Sequence, residues 1–405
     1  MTAAAPTGRR WRVIAAVGII QIFAWGSSYY LLAVLAGPIA RDTGWPYPWV
    51  IAGVSLGLLV AGAVSIRVGR TIEQLGGSRV LAAAALLLAA GLAVMAMAPG
   101  VPIYLAAWVL LGAGMGAGLY DAAFSTLGRL YGAQARSAIT QLTLWGGFAS
   151  TVCWPMSAWL VETVGWRGTC LAYAGLHLVV TLPLALFAVP RETRRDLLVP
   201  QPDGAVLPAE ALANRVSMVL LLAAILTMAG IVAAIWSVHL IAILRAGGVG
   251  LASAVALGAL VGPAQVGARV IEMASGGRHH PIWTLATAAV LIAAGLVLLS
   301  AGVGLLAVAL IAYGAGNGIW SIARGTLPLT LFGPRGYAVL MGRLAMPSLI
   351  AQALAPSAGA LLLQHYGARA TLAALACLAL LNLVGVAALW VLARPRAAQG
   401  VRVSP

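Results

Sequence analysis

Apolar stretches about 20 residues long recur along the whole chain, and they constrain its fold more than any other feature. A helix needs about 20 such residues to cross the hydrocarbon core of a bilayer. Because hydrocarbon offers no partner for an unpaired backbone N–H or C=O group, each crossing stretch has to be helical. Hydrophobic residue types make up 62% of the sequence, well above the roughly one half found in soluble domains. The sequence therefore predicts an all-α membrane protein.

Polar residues between the apolar runs divide the chain into twelve predicted spans. They cover residues 13–38, 48–68, 80–98, 103–127, 138–161, 169–189, 216–244, 250–271, 282–302, 305–331, 338–363 and 369–393. The longest polar stretch lies between the sixth and seventh spans, so we expect no separate soluble domain. The first apolar run is too long for a cleaved signal peptide and a second run follows at once, which indicates a first transmembrane helix.

The basic residues are distributed unevenly among the connections. The formal charge is +15, and all 24 basic residues are arginines. Most of them, including Arg70, Arg269 and Arg278, fall at alternate connections and at the two ends of the chain, whereas only four, among them Arg41 and Arg167, fall on the other side. Short loops rich in arginine stay in the cytoplasm. We therefore expect cytoplasmic N- and C-termini, a multi-pass protein of a bacterial-type plasma (inner) membrane, and no nucleic-acid partner.

The second part of the chain repeats the first. The segment GRTIEQLGGSR (69–79) returns as ARVIEMASGGR (268–278) at an offset of 199, and GAGLY (116–120) returns as GNGIW (316–320) at an offset of 200. Several aligned blocks at nearly one offset predict two parallel six-helix repeats. The predicted units are a half at residues 1–189, a cytoplasmic connecting loop at residues 190–215, and a half at residues 216–405.

The first copy of this motif resembles a loop of the major facilitator superfamily, and the resemblance covers almost the whole chain. The family carries, between helices 2 and 3, a loop of the form Gly-x-x-x-Asp-Arg-x-Gly-x-Arg/Lys. The corresponding residues are Gly69, Glu73, Gly76 and Arg79, with Glu272, Gly276 and Arg278 in a weaker second copy. Glu73 replaces the usual Asp, and Gln74 replaces the usual Arg. The resemblance implies two pseudo-symmetric six-helix halves and a loop that latches them on the cytoplasmic side; the alternative is a loop that is only solvated.

A second, narrower resemblance concerns two short segments. ARDTGW (40–45) and GAGMGAGLYDAAF (112–124) are similar to segments of monocarboxylate transporters and oxalate/formate antiporters. Those families carry an arginine before the proline of helix 8, where this chain has Gly262 before Pro263. The resemblance implies a small organic anion as the solute.

Two ionisable residues lie well inside predicted spans, Asp121 in the fourth and Arg324 in the tenth. Charged groups in mid-membrane are costly and are functional by default. The two spans are symmetry mates, and the family resemblance implies that both line a central cavity. In the functional interpretation, Arg324 binds an oxyanion through its planar guanidinium and Asp121 exchanges the coupling proton. In the alternative, the two residues form a static bridge between the halves.

Further residues complete the predicted substrate pocket. Asn317 and Ser321 share a helix face with Arg324, because residues three, four and seven positions apart lie on one side of a helix. The other predicted pocket residues are Trp25, Tyr29, Gln141 and His239. For each of these the alternative is packing, since aromatic residues in spans commonly serve as anchors and a lone histidine is commonly a satisfied core residue.

The sequence thus favours a secondary active transporter that moves a small organic anion by proton-coupled alternating access. The alternative is a proton-driven exporter of drugs or other amphipathic toxic compounds, for which a Trp-rich cavity would serve. An enzyme is disfavoured, because the sequence shows no nucleotide-binding loop, metal-ligand cluster or paired carboxylates. We expect no cofactor and no metal; the expected partners are a small-molecule substrate, protons and the lipid bilayer, and we expect a monomer.

Overall fold

The computed structural model describes residues 7–192, 209–275, 278–302 and 304–393. Every regular element in this part of the chain is helical. Nine continuous helical stretches of the described residues are long and apolar enough to cross a membrane. The predicted fold class, an all-α protein of many long apolar helices, is therefore confirmed.

The helices fall into an N-terminal part, residues 7–192, and a C-terminal part, residues 209–393. The N-terminal part contains α1 (Thr7–Gly26), α2 (Leu31–Thr43), α3 (Tyr47–Leu75), α4 (Gly77–Ala96), α5 (Val101–Gly118), α6 (Tyr120–Tyr131), α7 (Ala135–Gly147) and α8 (Ala149–Leu176). Two π-helical turns, His177–Thr181 and Leu184–Ala188, extend α8. The C-terminal part contains α9 (Ala209–Ala246), α10 (Leu251–Ala259), α11 (Val261–Ala274), α12 (Pro281–Ser300), α13 (Leu306–Phe332) and α14 (Tyr337–Ala393).

Several predicted spans are broken near their middle. The first is divided into α1 and α2 by four non-helical residues, and the fourth into α5 and α6 by Leu119, whose backbone is extended. The eighth is divided into α10 and α11. Pro263 lacks a backbone N–H group and cannot donate the helical hydrogen bond to the carbonyl of Ala259, the last residue of α10. This missing bond explains the interruption. These breaks place turns of backbone inside the helix bundle.

One face of the bundle, which we call the terminal face, carries the start of α1 and the end of α14. Arg10 of α1 donates a hydrogen bond to the turn between α6 and α7 (2.8 Å), and Arg136, at the start of α7, donates to the backbone between α11 and α12. Trp283, near the start of α12, packs on Trp390 near the end of α14, with ring centroids 5.5 Å apart. The contacts of these segments therefore gather both ends of the described chain at one face.

The long helix α14 turns back on itself at a glycine. As a single rod its 57 residues would span about 85 Å at 1.5 Å per residue, against a hydrocarbon core of about 30 Å. Gly367 has φ 76° and ψ 175°, which interrupts the helix, and glycine adopts a positive φ without a Cβ clash. Gly165, at the equivalent position of the repeat, has φ 70° and ψ 175° inside α8. The two repeats therefore share this reversal.

Glycines allow close contacts between helices at equivalent places in the two parts. A Cβ atom at Gly112 of α5 would lie 2.5 Å from the carbonyl oxygen of Gly57 in α3, and one at Gly314 of α13 would lie 2.7 Å from that of Val261 in α11. No side chain fits at such a distance. Small residues that let helix backbones approach are typical of membrane helix packing.

The two parts of the chain pack against each other on the side of the terminal face. The hydroxyl of Ser65 in α3 donates to the carbonyl of Gly342 in α14 (2.9 Å), and a Cβ atom at Gly69 would lie 2.3 Å from the carbonyl oxygen of Ala338. On the opposite side, α2 packs on α3 and α8, and α10 packs on α9, α11 and α13, each within its own part. This conformation is therefore closed toward the terminal face.

Candidate functional site

A small cavity lies between the two parts of the chain. Its volume is about 40 Å³. The N-terminal part contributes Trp25, Tyr29, Leu58, Ala61, Ser65, Val68, Gly69, Ile72, Met115, Gly116, Leu119, Tyr120, Asp121, Ala122 and Ser125, and the C-terminal part contributes Arg324, Ala338, Gly342, Leu349 and Gln352. One water needs about 10–15 Å³ of such volume, so the cavity has room for a few waters and not for an organic solute.

An ion pair between Asp121 and Arg324 lies in the cavity wall. Arg324 Nη2 of α13 donates to Asp121 Oδ2 of α6, and Arg324 is only 8% exposed. Asp121 is the second residue of α6, directly after the break at Leu119, so the unpaired N–H groups at the helix start favour its negative charge. Its other oxygen, Oδ1, is buried and has no hydrogen-bond partner among the described residues. The structure therefore joins the two charges that the sequence had singled out.

Aromatic side chains form another part of the wall. The break between α1 and α2 places Tyr29 beside Trp25, with ring centroids 5.4 Å apart. Trp25 also packs on Tyr120 (5.2 Å), which stacks on Phe124 (5.0 Å). The Trp25 indole Nε1 is buried and has no acceptor among the described residues. Trp25 and Tyr29, both predicted for the pocket, do line the cavity, and this part of the wall is an aromatic surface with one indole donor that has no acceptor among the described residues.

Four other predicted pocket residues do not line the cavity. The Ser321 hydroxyl donates to the carbonyl of Gly318 on its own helix (2.7 Å), and the Gln141 amide donates to Ser137 on its own helix (3.1 Å). His239 of α9 donates a hydrogen bond from Nε2 to the carbonyl of Pro356 in α14 (2.8 Å), so its ring joins two helices of the C-terminal part. Asn317 is half-buried. Their predicted roles would require a rearranged cavity.

Two residues of the predicted latch, Glu73 and Gly69, contact the start of α14, and a third, Gly76, lies beside Glu192. A carboxylate oxygen of Glu73 accepts the backbone N–H of Ala338 (3.3 Å), which lies in the first turn of α14, where a negative charge is favoured. Glu73 also pairs with Arg129, whose Nε donates to Glu192 (3.0 Å). Gly76 has φ 82°, and a Cβ atom there would lie 2.8 Å from the Glu192 carboxylate. Glu73 and Gly69 thus hold the N-terminal part against α14, and Arg129 and Glu192 fix the Glu73 carboxylate.

The other predicted latch residues are placed differently. Arg79 and Arg278 are exposed. The carboxylate of Glu272, the repeat equivalent of Glu73, accepts a hydrogen bond from Thr284 (2.7 Å) within the C-terminal part. Gly276 lies outside the described residues. The contact between the parts through the motif is therefore made by the first copy.

Three charged residues of these sites were missed by the sequence analysis. Arg129 and Glu192 are partners of the latch, and they lie 63 residues apart in the sequence, so no local pattern links them. Arg269, which the charge pattern assigned to a connection, is buried in α11 and 6% exposed. The signal that could have found it was its position inside the eighth predicted span.

Comparison with known proteins decides the family. A sequence model of the Major Facilitator Superfamily matches residues 17–335. The chain belongs to the major facilitator superfamily. The family and the similar solved structures are transporters, so this superfamily member is a membrane transport protein and not an enzyme. No curated protein sequence matches the chain.

Solved structures of the superfamily share the fold of this member. The human organic anion transporter MFSD10 (TETRAN) is 16% identical, with 94% of this chain and 100% of that chain covered and a TM-score of 0.72. The proton:xylose symporter XylE bound to 6-bromo-6-deoxy-D-glucose is 12% identical, with 94% and 95% covered and a TM-score of 0.73. A variant of the E. coli fucose:proton symporter FucP is 16% identical, with 94% and 97% covered and a TM-score of 0.66. At these identities the similarity shows the fold alone.

Proposed function

We propose that the protein is a secondary active transporter that moves a small organic anion by proton-coupled alternating access. In this proposal twelve helices form two six-helix halves, residues 1–189 and 216–405, with the 190–215 loop and both termini in the cytoplasm of a cell with a bacterial-type plasma membrane. The protein works as a monomer. The terminal face is then the cytoplasmic face.

The observation that carries the proposal is the Asp121–Arg324 pair, which joins the two halves at the cavity wall. While Asp121 is ionised, its carboxylate accepts a hydrogen bond from the Arg324 guanidinium, and the net charge of the pair is zero. When Asp121 takes up a proton, the charge-assisted hydrogen bond to Arg324 weakens, and an oxyanion can replace the carboxylate. Proton and anion therefore bind together, and the net charge of the site is unchanged. This exchange couples the proton to the solute.

Alternating access supplies the second step. The cavity is smaller than the few hundred Å³ that organic ligands need, so it has to expand for a solute to enter. The contacts of Glu73 and Gly69 with Ala338 keep the side of the terminal face closed in this conformation. Rocking of the halves about the site would separate these contacts and open the site to the cytoplasm.

The similar structures agree with both parts of the proposal. One of these proteins is an organic anion transporter, and two are sugar:proton symporters. Because their similarity extends to the fold alone, the assignment of the solute rests on the ion pair.

The aromatic wall supports a second candidate, a proton-driven exporter of drugs or other amphipathic compounds. Trp25, Tyr29 and Tyr120 provide apolar ring surfaces against which an amphipathic molecule would pack. The two candidates differ in the need for Arg324, which an anion carrier requires and a cation exporter does not.

A thermal-shift screen of the purified protein separates them. The panel contains carboxylates, benzoate among them, their neutral amides, and cationic drugs. In acidic buffer we expect carboxylates to raise the melting temperature of the wild type, and to raise that of Arg324→Gln by clearly less. A shift by cationic drugs alone, retained in Arg324→Gln, would instead establish the exporter.

A further inference from the structure

A second arginine, Arg269, lies buried at the interface between the two parts of the chain. It is 6% exposed. Its Nε donates to the carbonyl of Gly318 in α13 (3.2 Å), and its Nη1 donates to the carbonyl of Thr143 in α7 (3.0 Å). Both acceptors are neutral backbone groups, and no acidic side chain of the described residues forms an ion pair with Arg269.

The charge balance of the interior is therefore incomplete. Asp121 neutralises Arg324, whereas Arg269 leaves one positive charge without a described counter-ion. A buried charge without a partner is strongly unfavourable, and inside a membrane protein it marks a functional site by default. Backbone carbonyls solvate such a charge in part and do not neutralise it. This interface therefore carries one positive charge for which the described residues provide no counter-ion.

The guanidinium retains donors for an anion. It has five N–H bonds in a planar fork, and two of them are used by Gly318 and Thr143. The remaining three, on Nη1 and Nη2, have no hydrogen-bond partner among the described residues. Such a fork suits an oxyanion, which accepts two parallel hydrogen bonds.

Arg269 is also next to the cavity. The hydroxyl of Tyr120, which lines the cavity, donates to the same Thr143 carbonyl as Arg269 (3.3 Å), so the two donors are neighbours. Tyr30 and Tyr120 are titratable side chains near Arg269, and a tyrosine is uncharged at neutral pH. Arg269 therefore lies directly behind the aromatic wall.

Two consecutive glycines of α7 make the space for these donors. A Cβ atom at Gly147 would lie 2.3 Å from Arg269 Nη1, and one at Gly146 would lie 2.1 Å from the Tyr120 hydroxyl oxygen. By contrast, a Cβ atom at Gly267, two residues before Arg269, would meet nothing within 4 Å. A side chain at Gly267 is therefore accommodated, whereas one at Gly147 would displace the guanidinium.

We propose that Arg269 is the docking residue for the anionic group of the solute. This inference rests on the proposed function and adds an order of events to it. The carboxylate of the solute first binds the permanently free charge of Arg269, at any protonation state of Asp121. It reaches Arg324 only after Asp121 has taken up a proton. Arg269 therefore contributes to binding in acidic and alkaline buffer alike, and Arg324 contributes in acidic buffer alone.

The test measures binding of benzoate, with benzamide as its neutral isostere, to the purified full-length protein in acidic and in alkaline buffer. We expect Arg269→Gln to weaken benzoate binding by about tenfold or more in both buffers, as the loss of charged hydrogen bonds implies. Arg324→Gln should weaken it in acidic buffer only. Arg70→Gln is the matched control, since Arg70 is the repeat equivalent of Arg269 and is exposed. This control variant should bind benzoate with the affinity of the wild type.

Two further measurements separate docking from a purely structural cross-link. Arg269→Gln removes an unneutralised charge, so without ligand it should melt no lower than the wild type; a cross-link would make it melt lower. Gly147→Ala should reduce benzoate affinity while keeping the charge, and Gly267→Ala should not.

Two outcomes distinguish a failure of the Arg269 docking role from a failure of the proposed function. Wild-type benzoate affinity in Arg269→Gln, together with its loss in Arg324→Gln, would overturn the docking role and leave the proposed function standing. A wild type that binds no carboxylate would overturn both.

Discussion

Arg324 of α13 and Asp121 of α6 are 203 positions apart in the sequence and form an ion pair across the interface of the two repeats. Each residue stands at a place where the other repeat has an uncharged one, since Ser321 and Phe124 are the repeat equivalents of Asp121 and Arg324. The pair is therefore an asymmetric addition to a symmetric fold. A fixed bridge and a proton-coupled site predict different behaviour of its variants.

The double variant Asp121→Asn/Arg324→Gln distinguishes the two roles. Each single change leaves one charge unpaired, and breaking a buried pair costs about 3–5 kcal/mol, so both single variants should be less stable than the wild type. The double variant restores neutrality and should recover its stability. We expect it to lack transport. Melting temperature and solute uptake are measured on the same preparations, and normal uptake by the double variant would show that the pair is only a bridge.

Replacement of Arg324 by lysine tests the geometry of anion binding. An ammonium group keeps the charge and cannot offer the planar two-donor fork, so Arg324→Lys should recover only part of the acidic-buffer affinity that Arg324→Gln loses. Isothermal titration with benzoate gives the affinities. Equal affinities of the lysine and arginine proteins would mean that charge alone is recognised.

Glu73→Gln tests the latch. The change weakens the contacts with Arg129 and with the start of α14 but leaves the ion pair in the cavity wall, so we expect solute affinity to be kept and the transport cycle to be slower or biased. Glu272→Gln is the matched control, because its hydrogen bond stays within the C-terminal part. Loss of affinity with an unchanged cycle would assign the loop to the binding site instead.

Cysteine labelling tests the orientation in the membrane. Cysteines at the exposed positions Arg79 and Arg278 should react with a membrane-impermeant reagent only from the cytoplasmic side. A cysteine at Gly168, three residues after the reversal at Gly165 in α8, should react from outside intact cells. Labelling of position 194, which lies outside the described residues, is expected from the cytoplasmic side. Labelling of the cysteines at positions 79, 194 or 278 from outside intact cells would contradict the proposed topology.

The sequence predicted those features that depend on bilayer physics. The length of the apolar runs predicted the long helices. Charged residues are rare within these runs, and this rarity indicated Asp121 and Arg324 as functional candidates. Trp25 and Tyr29, which the sequence analysis placed in the first span as pocket residues, line the cavity as well. In each case the physical constraint acts locally and is therefore visible in a short segment.

The features that sequence reasoning missed depend on the rotation and breaking of helices. Arg70 and Arg269 occupy the same position in the repeated motif, yet the first is exposed and the second is buried. His239 faces Pro356, because the rotation of α9 is set by its packing and not by its own sequence. The break at Leu119 brings Asp121 to a helix start. No proline lies near it in the sequence, so a sequence signal for the break is lacking.

The most direct test of proton-coupled anion transport is uptake into proteoliposomes driven by a pH difference. We reconstitute the wild type and Asp121→Asn, and we measure accumulation of labelled benzoate against its gradient and, separately, exchange of internal for external benzoate. We expect the wild type to accumulate and to exchange benzoate, whereas Asp121→Asn, fixed in the neutral form, should exchange benzoate and not accumulate it. Benzoate accumulation by Asp121→Asn at the wild-type level would contradict proton coupling through Asp121.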